Sequence, residues 1–223
     1  MRVFIVHAHH EPTSFNSAMT EAAKASLERA GHEVTVSDLH AMGFDPVSDR
    51  RNFTTTALSE RLKQQVEEEY ASGHAGFVRE LQAEMDKLSW CEVLILQFPL
   101  WWLGMPAILK GWVDRVFALG RVYGGGRYFG TGVLRGKRVL CATTVGGSDV
   151  TYSPAGMYGP IEPILFPIHH GILRFCGFDV LEPFVVYAPT RLIPNERRDC
   201  LRKYAQRVLR LDTEVPFMSA TLD

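Results

Sequence analysis

The residues of this chain with the greatest capacity for chemistry lie in three short segments. Residues 97–112 read QFPLWWLGMPAILKGW. They follow an apolar, strand-like run at residues 92–98 and lead into an amphipathic pattern opened near Pro106. A strand that ends in Pro-Leu-Trp-Trp places flat apolar rings outside its carboxyl end, where α/β sheets bind ligands. Trp101 and Trp102 therefore either plug a core or lie against something flat. The second segment, residues 9–16, offers His9, the hydroxyls of Thr13 and Ser14, and the Asn16 amide just before a predicted helix. A helix start carries unpaired N–H groups and partial positive charge, which suits a phosphate. No GxGxxG is present, so a dinucleotide-type turn is not supported. His7 and His9 share one face of a strand, so metal binding by His7, His9 and His10 is a rival reading. No third ligand cluster accompanies them, and no metal is assigned. The third segment is Thr143-Thr144-Val145-Gly146-Gly147-Ser148. Two glycines at a strand end let backbone approach a ligand closely. A phosphate cradle, flat walls and close-approach backbone are the parts that hold a flavin.

The elements that must position these segments alternate between β and α patterns. Strands are expected at residues 2–6, 33–37, 92–98, 138–145 and 180–187. Helices are expected at residues 14–30, 77–88, 106–119 and 194–211, with Ser14 or Asn16 as cap and Gly31 as stop for the first. Leu58, Leu62, Val66 and Tyr70 recur every four residues, as on one helix face. Residues 120–136 hold seven glycines and read as loop. Pro160, Pro163 and Pro167 place the start of the next helix near Ile168. Leu201, Tyr204, Val208 and Leu211 form the expected inward face of the last helix. Five strands separated by helical patterns predict a doubly wound parallel sheet with helices on both faces, in a single domain of residues 1–223. In a five-stranded sheet of flavodoxin type, the ends of strands one, three and four surround the topological switch point.

Composition bounds the rest. The chain has 223 residues, 46% hydrophobic and 22% charged, an ordinary globular balance with room for a covered sheet. A net charge of −1 gives no sign of nucleic-acid binding. Cys91, Cys141, Cys176 and Cys200 are scattered without zinc spacing, which suits a reducing, cytoplasmic setting. No apolar run is long enough to span a bilayer, so any membrane association is expected to be peripheral at most.

Four stretches together resemble a known family: AHHEPTSFN at residues 8–16, SDLHAMGFDP at 37–46, QFPLWWLGMPAILKGWVDRVF at 97–117 and GILRFCGFDVLEP at 171–183. The chain is similar, collinearly over residues 1–215, to the NAD(P)H:quinone oxidoreductase (DT-diaphorase) family of flavodoxin-like flavoproteins. The resemblance implies FAD, with FMN as second choice, and a ping-pong, two-electron hydride transfer. NAD(P)H gives hydride to flavin N5, and a quinone or similar flat acceptor (azo, nitroaromatic) then receives it. It implies that His9, Thr13, Ser14, Phe15, Asn16 and Ala18 contact the diphosphate and ribityl chain. Pro99, Leu100, Trp101, Trp102 and Leu103 line the flavin ring, and Thr143, Thr144, Gly146 and Gly147 lie near its pyrimidine edge. Arg197 takes the adenine end. Tyr123 and Phe175, with Trp102, wall the substrate pocket across the interface of a homodimer built on residues 106–119 and 120–136.

Some positions leave the family pattern. Val145 reads as an insertion in the Thr-Thr-Gly-Gly motif. The family pairs a tyrosine with a histidine six residues later to handle protons. Here Tyr152 matches the tyrosine, but Tyr158 occupies the histidine position, and a phenol near pKa 10 replaces an imidazole near 6.5. A second pocket tyrosine is replaced by Gly125, with Tyr128 close by as its substitute. Tyr152, Tyr158, Gly146 and Gly147 are the expected catalytic set. Two other classes fit a flavodoxin-like chain: a regulatory subunit of a potassium-efflux antiporter, and a one-electron carrier. The near-neutral charge and the long insertion at residues 40–89 argue against the carrier.

Overall fold

Every side chain of β3 (Val93–Pro99) is buried, as expected for a central strand covered on both faces. The computed structural model describes residues 1–219. Around β3 lie β1 (Arg2–His7), β2 (Glu33–Asp38), β4 (Arg138–Val145), β5 (Asp179–Val180) and β6 (Phe184–Tyr187). All pairings are parallel and the order is β2-β1-β3-β4-β5, with β6 also against β4. This is the flavodoxin-type order, with the switch point between β1 and β3.

Alternation along the strands divides the core in two. Val3, Ile5, Val93, Ile95, Leu140 and Ala142 face one side, where Met19, Leu27, Tyr204 and Val208 cover them. These come from α1 (Phe15–Arg29) and α6 (Pro194–Val208). Phe4, Val6, Leu94, Leu96, Phe98 and Cys141 face the other side with Leu81, Leu88, Leu109 and Trp112. That side is covered by α3 (Arg79–Trp90) and α4 (Ala107–Val116). Trp112 is fully buried and its Nε1 donates to Glu84 Oε2 at 2.9 Å.

Three expected elements take a different form. The periodic residues Leu58, Leu62, Val66 and Tyr70 do not share one buried helix face. Helix α2 covers only Gln64–His74, and it buries Glu67, Glu68 and Ala71 while Leu62, Val66 and Tyr70 are exposed. The carboxylates are drawn inward by unpaired backbone donors. Glu67 accepts from the Ala57 and Leu58 amides at 2.7 and 2.9 Å, and Glu68 accepts from the Leu119 amide at 2.8 Å. The helix expected from Ile168 instead runs earlier, as α5 (Ile161–Ile168), and continues as a π turn at His169–Arg174. Pro160 is its N-cap and Pro163 falls in the first turn, where a missing N–H costs nothing. Only Pro167 is interior, and the helix widens directly after it. The single strand expected at 180–187 is two, β5 and β6, against successive parts of β4. Pro183 lies in the gap and has no ladder donor.

Candidate functional site

The carboxyl ends of β1, β3 and β4 open into one cleft of about 710 Å³. Its lining includes His9, Thr13, Ser14, Phe15, Asn16, Pro99, Leu100, Trp101, Trp102, Thr144, Gly146 and Arg197, all expected from the sequence. A second cleft of about 690 Å³ shares Leu100, Trp102 and Gly146 with it and adds Leu103, Gly147, Tyr152 and Tyr158. Both volumes are those of small-molecule sites.

The first wall is the start of α1. Ser14 is its N-cap, with extended backbone, and its Oγ accepts from the Ser17 amide at 3.1 Å. The amides of Phe15 and Asn16 donate to no described residue, so the helix start presents free donors to the cleft. Thr13 is engaged differently from expectation. Its amide and hydroxyl both donate to Glu11 Oε1, at 2.9 and 2.7 Å, and these bonds hold the Glu11 carboxyl below its usual range. A phosphate here must compete with that carboxylate for Thr13.

Asn16 bridges the three loops. It is buried, its Nδ2 donates to Thr144 Oγ1 at 2.6 Å, and its Oδ1 accepts from Gln97 Nε2 at 2.7 Å. One polar chain thus joins α1, β3 and β4. Gln97 carries no signal of this role in the sequence, because it sits in an otherwise apolar strand.

The second wall is a tight turn. Trp101 and Gly104 exchange both backbone hydrogen bonds, at 3.1 and 3.0 Å. Between them Trp102 and Leu103 have φ of 51° and 57°. A turn with two central residues at positive φ ordinarily uses Asn or Gly. Bulky residues there cost on the order of 1–3 kcal/mol each, and such strain persists where a site needs the geometry. Trp102 is fully exposed. Trp101 lies against His9 and His10, with ring centroids 6.1 and 5.7 Å apart.

The third wall follows β4. The strand continues through Val145, which pairs with Tyr187 and lines the cleft. The amides of Gly146, Gly147 and Ser148 donate to no described residue, leaving three consecutive backbone donors at the strand end. A Cβ on Gly146 would meet nothing within 4 Å, so this backbone is open to a ligand. A Cβ on Gly147 would come to 3.0 Å of the Tyr152 ring, which packs beneath it. Tyr152 is buried, with Tyr158 and Tyr187 rings at 5.3 and 5.9 Å. Burial, then the neighbouring Tyr158, pushes its phenol above the usual value. The Tyr152 hydroxyl has no hydrogen-bond partner among the described residues. Tyr158 is 47% exposed at the rim.

Several expected contacts lie elsewhere. Thr143 is fully buried and does not line the cleft, because it faces the opposite side of the sheet from Thr144. Ala18 lies one turn inside α1, its amide already bonded to Ser14 O at 3.0 Å. Tyr123 and Phe175 line a separate cavity of about 530 Å³ beside α2 and α4, and Tyr128 stacks on Phe175 at 5.0 Å. Within one chain they do not reach the cleft. His7 engages both ring nitrogens, with Thr20 Oγ1 at 2.9 Å and Ser17 Oγ at 3.2 Å. Burial lowers its pKa, and burial followed by His10 lowers that of His9. Among the described residues no group of three potential metal ligands converges. Pro189, Thr190 and Arg191, which also line the clefts, were not expected. They follow β6, so the strand-end rule applied to the last strand would have found them.

Comparison with known proteins agrees with this geometry. The profile of a family described as having a flavodoxin-like fold matches residues 1–210. NAD(P)H dehydrogenase (quinone) 1 of Rattus norvegicus is 41% identical over 220 residues, 98% of this chain and 80% of the rat protein. Ribosyldihydronicotinamide dehydrogenase (quinone) of Homo sapiens is 37% identical over 216 residues, 96% of this chain and 94% of the human one. A solved Klebsiella pneumoniae structure, named as a candidate quinone reductase, superposes with a TM-score of 0.93 at 39% identity, covering 97% of this chain and 86% of that one. The sheet order, the loops around its switch point and these likenesses place the chain in the flavodoxin-like family, among the NAD(P)H and ribosyldihydronicotinamide dehydrogenases (quinone).

Proposed function

We propose that this chain is a flavin-dependent NAD(P)H:quinone oxidoreductase that binds FAD. The observation that carries the reading is the pair of adjoining clefts at the switch point. One has a phosphate-suited helix start, the other a tyrosine and free backbone donors, and an exposed tryptophan stands between them. The donor set fits a flavin. The amides of Phe15 and Asn16 suit its phosphate, Arg197 the far end of a dinucleotide, and the amides at 146–148 a ring edge that gains negative charge. Leu100 and Trp102 supply apolar contact to both clefts, Trp102 as a flat ring.

A bound flavin would supply the capacity to take a hydride from one partner and deliver it to another. The overall reaction moves two electrons: NAD(P)H, a proton and quinone give NAD(P)⁺ and hydroquinone. The protein's part is to hold flat rings face to face and exclude water, which Leu100, Trp102 and Leu103 would do with a ring seated against them. The Tyr152 hydroxyl, without an internal partner, donates to the charge that develops, and Tyr158 screens it from solvent. One acceptor pocket for both substrates gives ping-pong kinetics.

A homodimer completes the site in this reading. Leu62, just before α2, and Val66 and Tyr70 on it are exposed, and the Tyr123–Phe175–Tyr128 cluster lies at the separate cavity; apolar surface of this kind is what a monomer in water avoids. A partner chain would bring the tyrosines to the acceptor. No helix among the described residues is long and apolar enough to cross a membrane, and a cytoplasmic setting is part of the proposal. The test is release of the cofactor by heat, with chromatography against FAD and FMN, alongside light scattering of the intact protein. A colourless protein that neither flavin reconstitutes overturns the assignment. FMN alone removes the role given to Arg197, and a monomer at micromolar concentration removes the shared site.

A further inference from the structure

The two clefts together are lined by two cationic side chains, Arg197 in the first and Arg191 in the second, and by no carboxylate. That is unexpected for a chain of net charge −1. Arg197 is anchored, its Nε donating to Leu192 O at 3.1 Å. Arg191 is not: it is exposed, and its guanidinium makes no hydrogen bond or ion pair with the described residues. Two arginines of α6 are by contrast held by carboxylates, Arg202 by Asp199 at 2.9 Å and Arg207 by Glu214 at 2.7 Å. Two nearby carboxylates are engaged with backbone: Asp149 accepts from the Val150 amide at 2.9 Å, and Glu196 from the Ile193 amide at 3.0 Å.

The rest of the second cleft is apolar or aromatic: Leu100, Trp102, Leu103, Tyr152, Met157 and Tyr158. Met157 and Trp102 are highly exposed and form its rim. A flat ring fits such walls, and a single unpaired guanidinium at their edge offers a fork for one planar or tetrahedral oxyanion. Low-dielectric walls also concentrate the field of that charge at the mouth.

We propose that the acceptor taken by the second cleft is a quinone that carries an acidic group, a carboxylate or sulfonate, bound by Arg191. The proposal rests on the functional reading above, takes the acceptor to stack on the flavin ring at the Met157, Tyr158 and Arg191 side of this cleft, and names the chemical class that side selects. Arg191 is a specificity residue; it holds the substituent and not the reacting carbonyl.

The test uses the flavin-loaded native protein and its Arg191→Gln and Arg191→Lys variants. Two acceptors are compared, 2-methyl-1,4-naphthoquinone and 1,4-naphthoquinone-2-sulfonate. Binding without turnover is read from the perturbation of flavin absorbance by naphthalene-2-sulfonate. In Arg191→Gln the ratio of kcat/KM for the sulfonate over the neutral quinone falls about tenfold, the size expected for one solvent-screened, charge-assisted contact. The dissociation constant of naphthalene-2-sulfonate rises by a similar factor, and Arg191→Lys lies between the two. Raising the salt concentration weakens the sulfonate in the native protein and has little further effect in Arg191→Gln. An unchanged ratio and an unchanged dissociation constant overturn the inference. So does a rise in the KM for NAD(P)H with the acceptor ratio intact, because Arg191 would then serve the donor. A native protein that holds no flavin and reduces neither quinone overturns the functional assignment and the inference with it. Flavin-loaded protein that reduces both quinones, with no response to Arg191, overturns the inference alone.

Discussion

Replacing Tyr152 with phenylalanine removes one hydroxyl from the wall of the second cleft and leaves the ring in place. The ring is buried against Tyr158 and Tyr187, so its packing survives. The hydroxyl has no described partner, so its loss changes stability by no more than about 0.5 kcal/mol. On the proposed reading flavin is held by the α1 start and by Arg197, which line the other cleft, so flavin content stays near the native level. Catalysis is affected differently. One oriented donor at a developing charge contributes about 1.4–3 kcal/mol, which slows hydride transfer from the nicotinamide about tenfold to 150-fold. Stopped-flow traces of flavin bleaching by NAD(P)H read this step directly, apart from acceptor turnover. Burial and the neighbouring Tyr158 hold the Tyr152 phenol above its ordinary value, so it stays protonated across the neutral range. The native bleaching rate is therefore flat between about pH 6 and pH 9. Tyr158→Phe costs less, because Tyr158 is half exposed and water replaces its hydroxyl. Tyr158→His introduces an inflection near about pH 6.5. If Tyr152→Phe bleaches at the native rate, the reasoning fails, and catalysis rests on stacking and the backbone donors at 146–148.

Three further predictions come from other parts of the molecule. Trp102→Asn keeps a residue that tolerates positive φ and loses no internal packing, so thermal stability rises by about 1 kcal/mol while flavin is held more weakly; a lower melting temperature contradicts the strain assigned to this turn. Asn16→Ala strips Thr144 and Gln97 of their partner; a loss of about 1–3 kcal/mol in chemical unfolding is expected, with lower flavin content, and unchanged values of both refute the bridging role. Burial pushes His169 down to about 4. Its folded-state value lies below the unfolded one, so the folded form is favoured at neutral pH and loses about 2 kcal/mol as pH falls from 7.5 to 5. The drop in melting temperature over that interval shrinks in His169→Leu, and an equal drop in both proteins disproves the assignment.

The strands and most of the cleft were legible because they depend on local patterns. β4 begins and ends where the sequence places it, at Arg138 and Val145, since an apolar run between Gly-rich loops has one strong reading. The three loops follow from the rule that ligands sit at strand ends around the switch point, and twelve expected residues line the first cleft. What was not legible depends on contacts between segments. The period-four apolar residues before and within α2 pointed to a buried face, yet Glu67 and Glu68 go inside because the amides of Ala57, Leu58 and Leu119 need acceptors there. No window of sequence contains both halves of that exchange. Thr143 and Thr144 look equivalent in the motif, and only the facing of the strand separates them. Gln97 gives no hint of its bond to Asn16, 81 residues away.

The same division separates the frame of the cleft from Tyr158 and Val145, the two positions read from the sequence as leaving the family pattern. The frame is held by the Gln97–Asn16–Thr144 chain and by the Leu100 amide, which donates to Thr144 O at 2.8 Å. None of these bonds involves residues 145–158. Val145, the last residue of β4, pairs with Tyr187 and takes no part in those bonds. The loop beyond is built from its own short-range bonds, such as Tyr158 N to Thr151 O at 3.1 Å and Gly156 N to Ser153 O at 2.9 Å. Gly156 is required by that packing, since a Cβ there would lie 2.3 Å from Val150 O. A proton-handling residue on such a loop can change type while the flavin frame stays fixed. On the proposed reading, proton supply and acceptor choice fall to the exposed rim, at Tyr158, Met157 and Arg191, and ring placement to the buried frame.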